Sequence, residues 1–139
     1  MIAYFDTSAV IPLLVDEPGS EVAARLWTEA DHVISVRLVY AEARAALAQA
    51  RRLGRLAPAQ LSTLVGVLDD LYASIDRIEI DERLVRRAGD LAQSHALRGY
   101  DAVHLAGLER IADEVTVLVS GDGDLCRAAR AIGVAVAAC

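Results

Sequence analysis

The sequence predicts a single α/β domain over residues 1–139, with a mostly parallel central sheet of four to five strands flanked by helices. Three observations lead there. Short apolar runs alternate along the chain with segments of helical periodicity, and strands separated by helices pair in parallel. One such run, Val115–Val119, has the apolar character of a strand covered by helices on both faces. A chain of 139 residues is the size of one ordinary domain, long enough to bury a core without cross-links.

Taken in order, Ile2–Phe5 reads as a short apolar strand. Thr7–Leu14 starts a short helix that Thr7 or Ser8 could cap. Pro18-Gly19-Ser20 restarts a helix running to about Ala30, and His32–Ser35 is a second strand. Arg37–Leu53 has the periodicity of a long helix ended by Gly54, and Pro58 opens another that reaches about Ala73. Ile75–Ile80 is a third strand, Glu82–His95 is helical with Gly99 ending that region, and Tyr100–Ala112 is a further helix. After the fourth strand, Val115–Val119, comes a helix over Asp124–Ala131 closed by Gly133, then a last short strand over Val134–Ala137. There is no linker, repeat or low-complexity stretch. In a parallel sheet of this kind, functional residues belong beyond the C-terminal ends of strands or at the starts of helices.

Composition narrows the function. The hydrophobic fraction is 55%, and the mean hydropathy is +0.34. An excess of this kind in a small domain implies apolar surface for a partner or an oligomer. Met1–Val15 is broken by Asp6 and Pro12 and lacks a basic leader, so it reads as neither a signal peptide nor a spanning helix, and the expected location is cytoplasmic. Cys126 and Cys139 form no metal-binding spacing and no disulfide framework. A net charge of −6 argues against holding nucleic acid by bulk charge, though a local site remains open. All 14 basic residues are arginine. The absence of lysine excludes P-loop ATPases, Schiff-base enzymes and phospho-receiver domains.

Four acids stand in positions that call for a reason. Asp6 follows the first strand directly, and Asp122 follows the fourth after Ser120 and Gly121. Projected at about 100° per residue, the helix from Arg37 carries an apolar stripe of Leu38, Ala45, Ala46 and Leu53, with Glu42 in its middle and Arg37, Arg44 and Arg51 opposite. Asp101 heads the stripe of its own helix, ahead of Leu105, Leu108 and Ala112. The helix dipole alone could account for an acid in that first turn. For Glu42, burial of an unpaired carboxylate is costly. Carboxylates about 4 Å apart repel by roughly 4 kcal/mol at an effective dielectric of ~20, so three or four together call for a cation between them. With no His or Cys cluster to compete, oxygen donors favour Mg²⁺ or Mn²⁺, ions that typically serve phosphate chemistry.

These acids also carry a family resemblance. Tyr4-Phe5-Asp6-Thr7-Ser8-Ala9, Tyr40-Ala41-Glu42-Ala43, Tyr100-Asp101-Ala102-Val103-His104-Leu105-Ala106 and Ser120-Gly121-Asp122-Gly123-Asp124-Leu125 resemble, in order, the four motifs of PIN-domain nucleases. The match spans essentially the whole chain, and the single-domain toxins called VapC are the most similar group. The resemblance implies a PIN-like fold and a Mg²⁺- or Mn²⁺-dependent endoribonuclease acting on structured RNA, often tRNA or rRNA. It also implies a homodimer and a cognate antitoxin protein. Carried over position by position, Asp6, Glu42, Asp101 and Asp122 match the catalytic, metal-holding quartet, and Thr7 or Ser8 would assist through a hydroxyl. Ser120 stands where threonine is usual and keeps the hydroxyl. The expected products carry 5′-phosphate and 3′-hydroxyl ends.

Other residues carry weaker signals. Asp124 is either a further ligand or, the preferred reading, a first-turn acid of the last helix. His104, three residues after Asp101, could act in acid–base chemistry, although a packed, hydrogen-bonded histidine is the commoner occurrence. Arg98 is a candidate RNA contact. Leu61, Leu64, Val65, Leu68, Leu71 and Tyr72 are mostly core, with a partner groove around their helix and the preceding one. A haloacid-dehalogenase-type phosphatase would need a second Asp at the position of Ser8 and a lysine, and has neither. The alternative outside enzymology is a catalytically inert PIN-like module for dimerisation and antitoxin binding.

Overall fold

The computed structural model describes residues 1–139. Its strands are β1 (Ile2–Phe5), β2 (His32–Val36), β3 (Asp76–Ile78), β4 (Thr116–Ser120) and β5 (Ala135–Ala138). The helices are α1 (Thr7–Val10, continued by a 3₁₀ turn over Ile11–Leu13), α2 (Ser20–Glu29), α3 (Val39–Arg52), α4 (Pro58–Ser74), α5 (Glu82–His95), α6 (Gly99–Ile111) and α7 (Gly123–Ala131). All neighbouring strands pair in parallel, in the order β3-β2-β1-β4-β5. The five-stranded parallel sheet with helices on both faces is the architecture the alternating pattern predicts.

The sheet separates two cores. Successive side chains of a strand face opposite sides. Ala3 and Phe5 of β1 therefore enter a cluster with residues of α1, α2, α3 and α4, including Ala23, Val39, Ala43, Leu47 and Leu68. Tyr4 enters the other, built with Leu84, Leu91, Leu105 and Leu125 from α5, α6 and α7. The chain winds outward from β1 to β3, then returns to the other side of β1 with β4. The crevice for a site lies where that order reverses, beyond the C-terminal ends of β1 and β4.

Several expected boundaries move for identifiable reasons. Asp6, not Thr7 or Ser8, caps α1, its side chain accepting from the Ala9 N–H at 3.2 Å. Arg37 lies outside α3: its N–H donates to Ile78 O at 3.0 Å, and its guanidinium pairs with Glu79. The buried stripe of α3 is Val39, Ala43 and Leu47, so the projection through Ala45 and Leu53 was out of phase, and Leu53 is 60% exposed. β3 shortens to three residues at the sheet edge, paired only with Ile34–Val36. Gly99 begins α6 rather than ending the preceding region, and Ala96 takes the left-handed conformation that closes α5. In α4 only Leu68 is fully buried, while Leu61, Leu64, Val65, Leu71 and Tyr72 are half-buried. No helix is long and apolar enough to cross a membrane.

One glycine sets how closely α6 lies on the sheet. A Cβ on Gly107 would stand 2.5 Å from Val36 Cγ1 and 3.0 Å from the Tyr4 hydroxyl oxygen. Val36 and Tyr4 are both fully buried, so neither can yield cheaply. Gly107→Ala is expected to cost about 1–3 kcal/mol by overpacking, despite alanine's better helix propensity. Its urea midpoint should fall; an unchanged midpoint would mean that α6 can lift off the sheet without cost.

Candidate active site

Two strand-to-helix turns and two helices bring the acids together. Asp6 is 4% exposed at the end of β1. The Ser8 hydroxyl lies 2.8 and 2.9 Å from its two carboxylate oxygens. Ser8 Oγ also accepts from the Gly121 N–H at 2.8 Å and stands 3.2 Å from Ser120 Oγ, while Ser120 Oγ accepts from the Asp122 N–H at 3.0 Å. The turn after β1 is thereby tied to the turn after β4. A Cβ on Gly121 would come within 2.9 Å of the Cys139 carbonyl oxygen, so the turn is also sterically tight.

Asp122 caps α7, accepting from the Leu125 N–H at 2.9 Å through one oxygen. Its other oxygen takes the Arg98 Nη2 at 3.0 Å. Asp101, in the first turn of α6, takes the Arg98 Nε at 2.7 Å. One guanidinium thus bridges two acids that lie 21 residues apart in sequence. Burial pushes the Asp101 carboxyl above its ordinary range, and the neighbouring Asp122 charge pushes the same way, against the pull of Arg98 and His104. Asp6 is raised too, chiefly by burial, against the opposing effects of His104, Ser8, Ser120 and the Ala9 N–H.

Glu42 reaches the same place from α3. One of its oxygens, Oε1, accepts from His104 Nε2 at 2.6 Å and from the Thr7 hydroxyl at 2.9 Å. A carboxylate only accepts, so Nε2 carries the hydrogen. In the neutral imidazole Nδ1 is then the acceptor for the Tyr4 hydroxyl, 3.1 Å away. The Tyr4 and His104 rings meet edge to face, 6.0 Å between centroids. Burial holds the Tyr4 hydroxyl well above its ordinary pKa, so it remains a donor.

Hydrogen bonds therefore tie Asp6 to the turn of Asp122 through Ser8 and Ser120, Asp122 to Asp101 through Arg98, and Glu42 to Thr7 and His104, with Thr7, Ser8 and Ser120 each placed against an acid or its turn. Asp124 stands apart: its side chain is 76% exposed and pairs with Arg127 at 3.4 Å. Sequence reasoning missed Tyr4 and set His104 aside. Their signal was the shared face of Asp101 and His104, which only the opposing strand makes meaningful. Of the arginine stripe, Arg37 pairs with Glu79 and Arg44 rests on Tyr40, away from the acids.

The donor chemistry of the site fits a hard divalent cation. All four acids present oxygen, two of them are raised by burial, and Asp101 and Asp122 already share a positive group in Arg98. As the side chains stand, no three His, Cys, Asp or Glu residues form a grouping that could hold a metal ion, and the Arg98 guanidinium pairs with both Asp101 and Asp122.

Comparison with known proteins gives the family and the fold. The family model of the PIN domain matches residues 3–131. Ribonuclease VapC45 of Mycobacterium tuberculosis (strain CDC 1551 / Oshkosh) is 40% identical over 136 residues, covering 98% of this chain and 94% of that protein. Among solved structures, the sarcin-ricin loop cleaving toxin VapC20 of Mycobacterium tuberculosis superposes with a TM-score of 0.69 at 20% identity, over 95% of each chain. A toxin–antitoxin complex from Klebsiella pneumoniae superposes with a TM-score of 0.64 at 17% identity, over 97% of this chain and 95% of that one.

Proposed function

The chain belongs to the PIN-domain family, and from that membership we propose that it is the endoribonuclease toxin of a toxin–antitoxin pair, dependent on Mg²⁺ or Mn²⁺. The observation that carries the reading is the convergence of Asp6, Glu42, Asp101 and Asp122 at the point where strand order reverses. These four side chains would hold the cation. When bound, it supplies Lewis acidity, acidifying water and offsetting the charge that builds on the phosphoryl oxygens.

The protein's own groups do the positioning. Ser8 and the Ala9 N–H fix the Asp6 carboxylate. His104 and Thr7 fix Glu42 through Oε1, which leaves Oε2 without a protein hydrogen bond and able to orient water and take its proton. A group held in this way costs little reorganisation at the moment of reaction. Attack by water with cleavage of the P–O3′ bond leaves a 5′-phosphate and a 3′-hydroxyl, whereas attack by the RNA 2′-hydroxyl expels the 5′ oxygen and leaves a 2′,3′-cyclic phosphate. The test is the end chemistry of fragments cut from total RNA. Fragments that accept ligation at a 5′-phosphate agree with the proposal, and 2′,3′-cyclic phosphate ends contradict it.

The partner reading rests on a different surface. A groove of about 960 Å³ opens between the 3₁₀ turn, α3 and α4, lined by Ile11, Leu14, Leu47, Leu53, Leu56 and Leu64 among others. The half-buried leucines of α4 and the exposed Leu53 suit the apolar face of an antitoxin helix. Leu53→Glu is expected to weaken antitoxin binding about 10-fold or more, roughly 1.4 kcal/mol, while RNA cleavage stays intact. Calorimetry with the antitoxin reads the first and the RNA assay the second. Unchanged affinity would move the partner elsewhere.

A further inference from the structure

Arg98 has a place in the site that its surface character does not suggest. It is the residue before α6, and its side chain is 63% exposed. Yet its guanidinium donates through Nε to Asp101 and through Nη2 to Asp122, two acids held by different elements. In each case the acceptor is the oxygen Oδ2. The guanidinium also lies over the Tyr100 ring, 4.9 Å from its centroid. Asp101 is nearly buried, at 9% side-chain exposure, and Asp122 is at 21%. Two such carboxylates close together need a positive charge between them.

We propose that Arg98 is a resident counter-cation that competes with the divalent ion for Asp101 and Asp122, so that metal loading is an exchange of one cation for the other. The inference rests on the metal-dependent reading given above and adds to it which group must leave. The geometry allows the exchange. Apart from the two carboxylates themselves, the Arg98 guanidinium rests only over the exposed Tyr100 ring, so once released it can swing into solvent without disturbing either core. Partly exposed ion pairs are weak, whereas carboxylates bind a hard dication firmly. The same guanidinium offsets one of the two carboxylate charges and ties α6 to the turn after β4.

The test is Mn²⁺ titration by calorimetry of the EDTA-stripped protein, wild type beside Arg98→Gln and Arg98→Lys. Exchange predicts that Arg98→Gln binds Mn²⁺ about 3- to 10-fold more tightly, the scale of two partly exposed ion pairs released. Arg98→Lys, which keeps the charge but cannot fork across both acids, should fall between the two. A reading free of net-charge effects comes from the Arg98 Nε–H resonance of ¹⁵N-labelled wild type during Mg²⁺ titration. It should lose its hydrogen-bonded position with the same midpoint as metal binding. Equal Mn²⁺ affinity in wild type and Arg98→Gln, Arg98→Lys indistinguishable from wild type, or an Nε–H signal unmoved at saturation, would overturn the exchange while leaving the metal site standing. Absence of Mn²⁺ binding in wild type and both variants would overturn the metal-dependent reading itself, and the exchange with it.

Discussion

Asp6→Asn is expected to cut RNA cleavage by about 100-fold or more, the scale of removing one preorganised charged group from a reacting site, and at the same time to make the metal-free protein more stable. The two effects have one cause. Asp6 is 4% exposed, and burial raises its carboxyl above the ordinary value of 3.8. A group that binds its proton more tightly in the folded state stabilises the fold most below its unfolded pKa. That contribution is lost as pH rises through the raised folded value. At neutral pH without a cation, the ionised side chain therefore works against folding. Asn keeps the shape and an oxygen for the Ala9 N–H, and it caps helices as well as Asp, but it carries no charge. Thermal melts in EDTA should show wild type losing stability relative to Asp6→Asn as pH rises above the ordinary carboxylate value of 3.8 toward neutrality, with Asp101 adding a shift of the same sign in both proteins. Equal melting temperatures across that range, or retained cleavage, would contradict the role given to Asp6.

His104→Ala should cost about 2–4 kcal/mol of stability, from the cavity left and the polar atoms stranded around it. His104 is 2% exposed, and the Tyr4 hydroxyl beside it is fully buried. Without the imidazole, Tyr4 loses its hydrogen bond at 3.1 Å, and Glu42 keeps only the Thr7 hydroxyl on Oε1. Cleavage at matched folded fraction should then fall roughly 10-fold or more, as when a supporting partner of a metal ligand is removed. Urea unfolding reads the first effect and the RNA assay the second. Loss of stability with undiminished cleavage would reduce His104 to a packing residue.

Much of this was legible in the sequence because it is local. Ile2–Phe5, ended by an acid, and Glu82–His95, read as helical, stand in the structure at those residues, and the Asp81 side chain is found to cap the latter. Asp6 and Asp122 stood out because strand ends are where parallel sheets carry sites. Glu42 was assigned to the inner side of its helix on a stripe that proved out of phase. It lies beside Val39, Ala43 and Leu47, next to the stripe that is buried. What the sequence could not show is pairing over distance. Arg37 leaves α3 because Glu79 and Ile78, some 40 residues on, hold it at the sheet edge. The links from Tyr4 to His104 and from His104 to Glu42 span 100 and 62 residues, and no periodicity reports them. Arg98 looked like a residue for RNA because its exposure and charge suit phosphate. Its two carboxylate partners exist only once α6 and the turn after β4 are side by side.

The central claim is that the four acids act by holding a divalent cation against RNA. The most direct test is cleavage of total RNA by antitoxin-free protein stripped with EDTA and then given back Mn²⁺. The account predicts no cleavage after stripping and discrete fragments once the ion returns. Cleavage that persists in EDTA at an undiminished rate would contradict it, and would place the chemistry on the side chains alone.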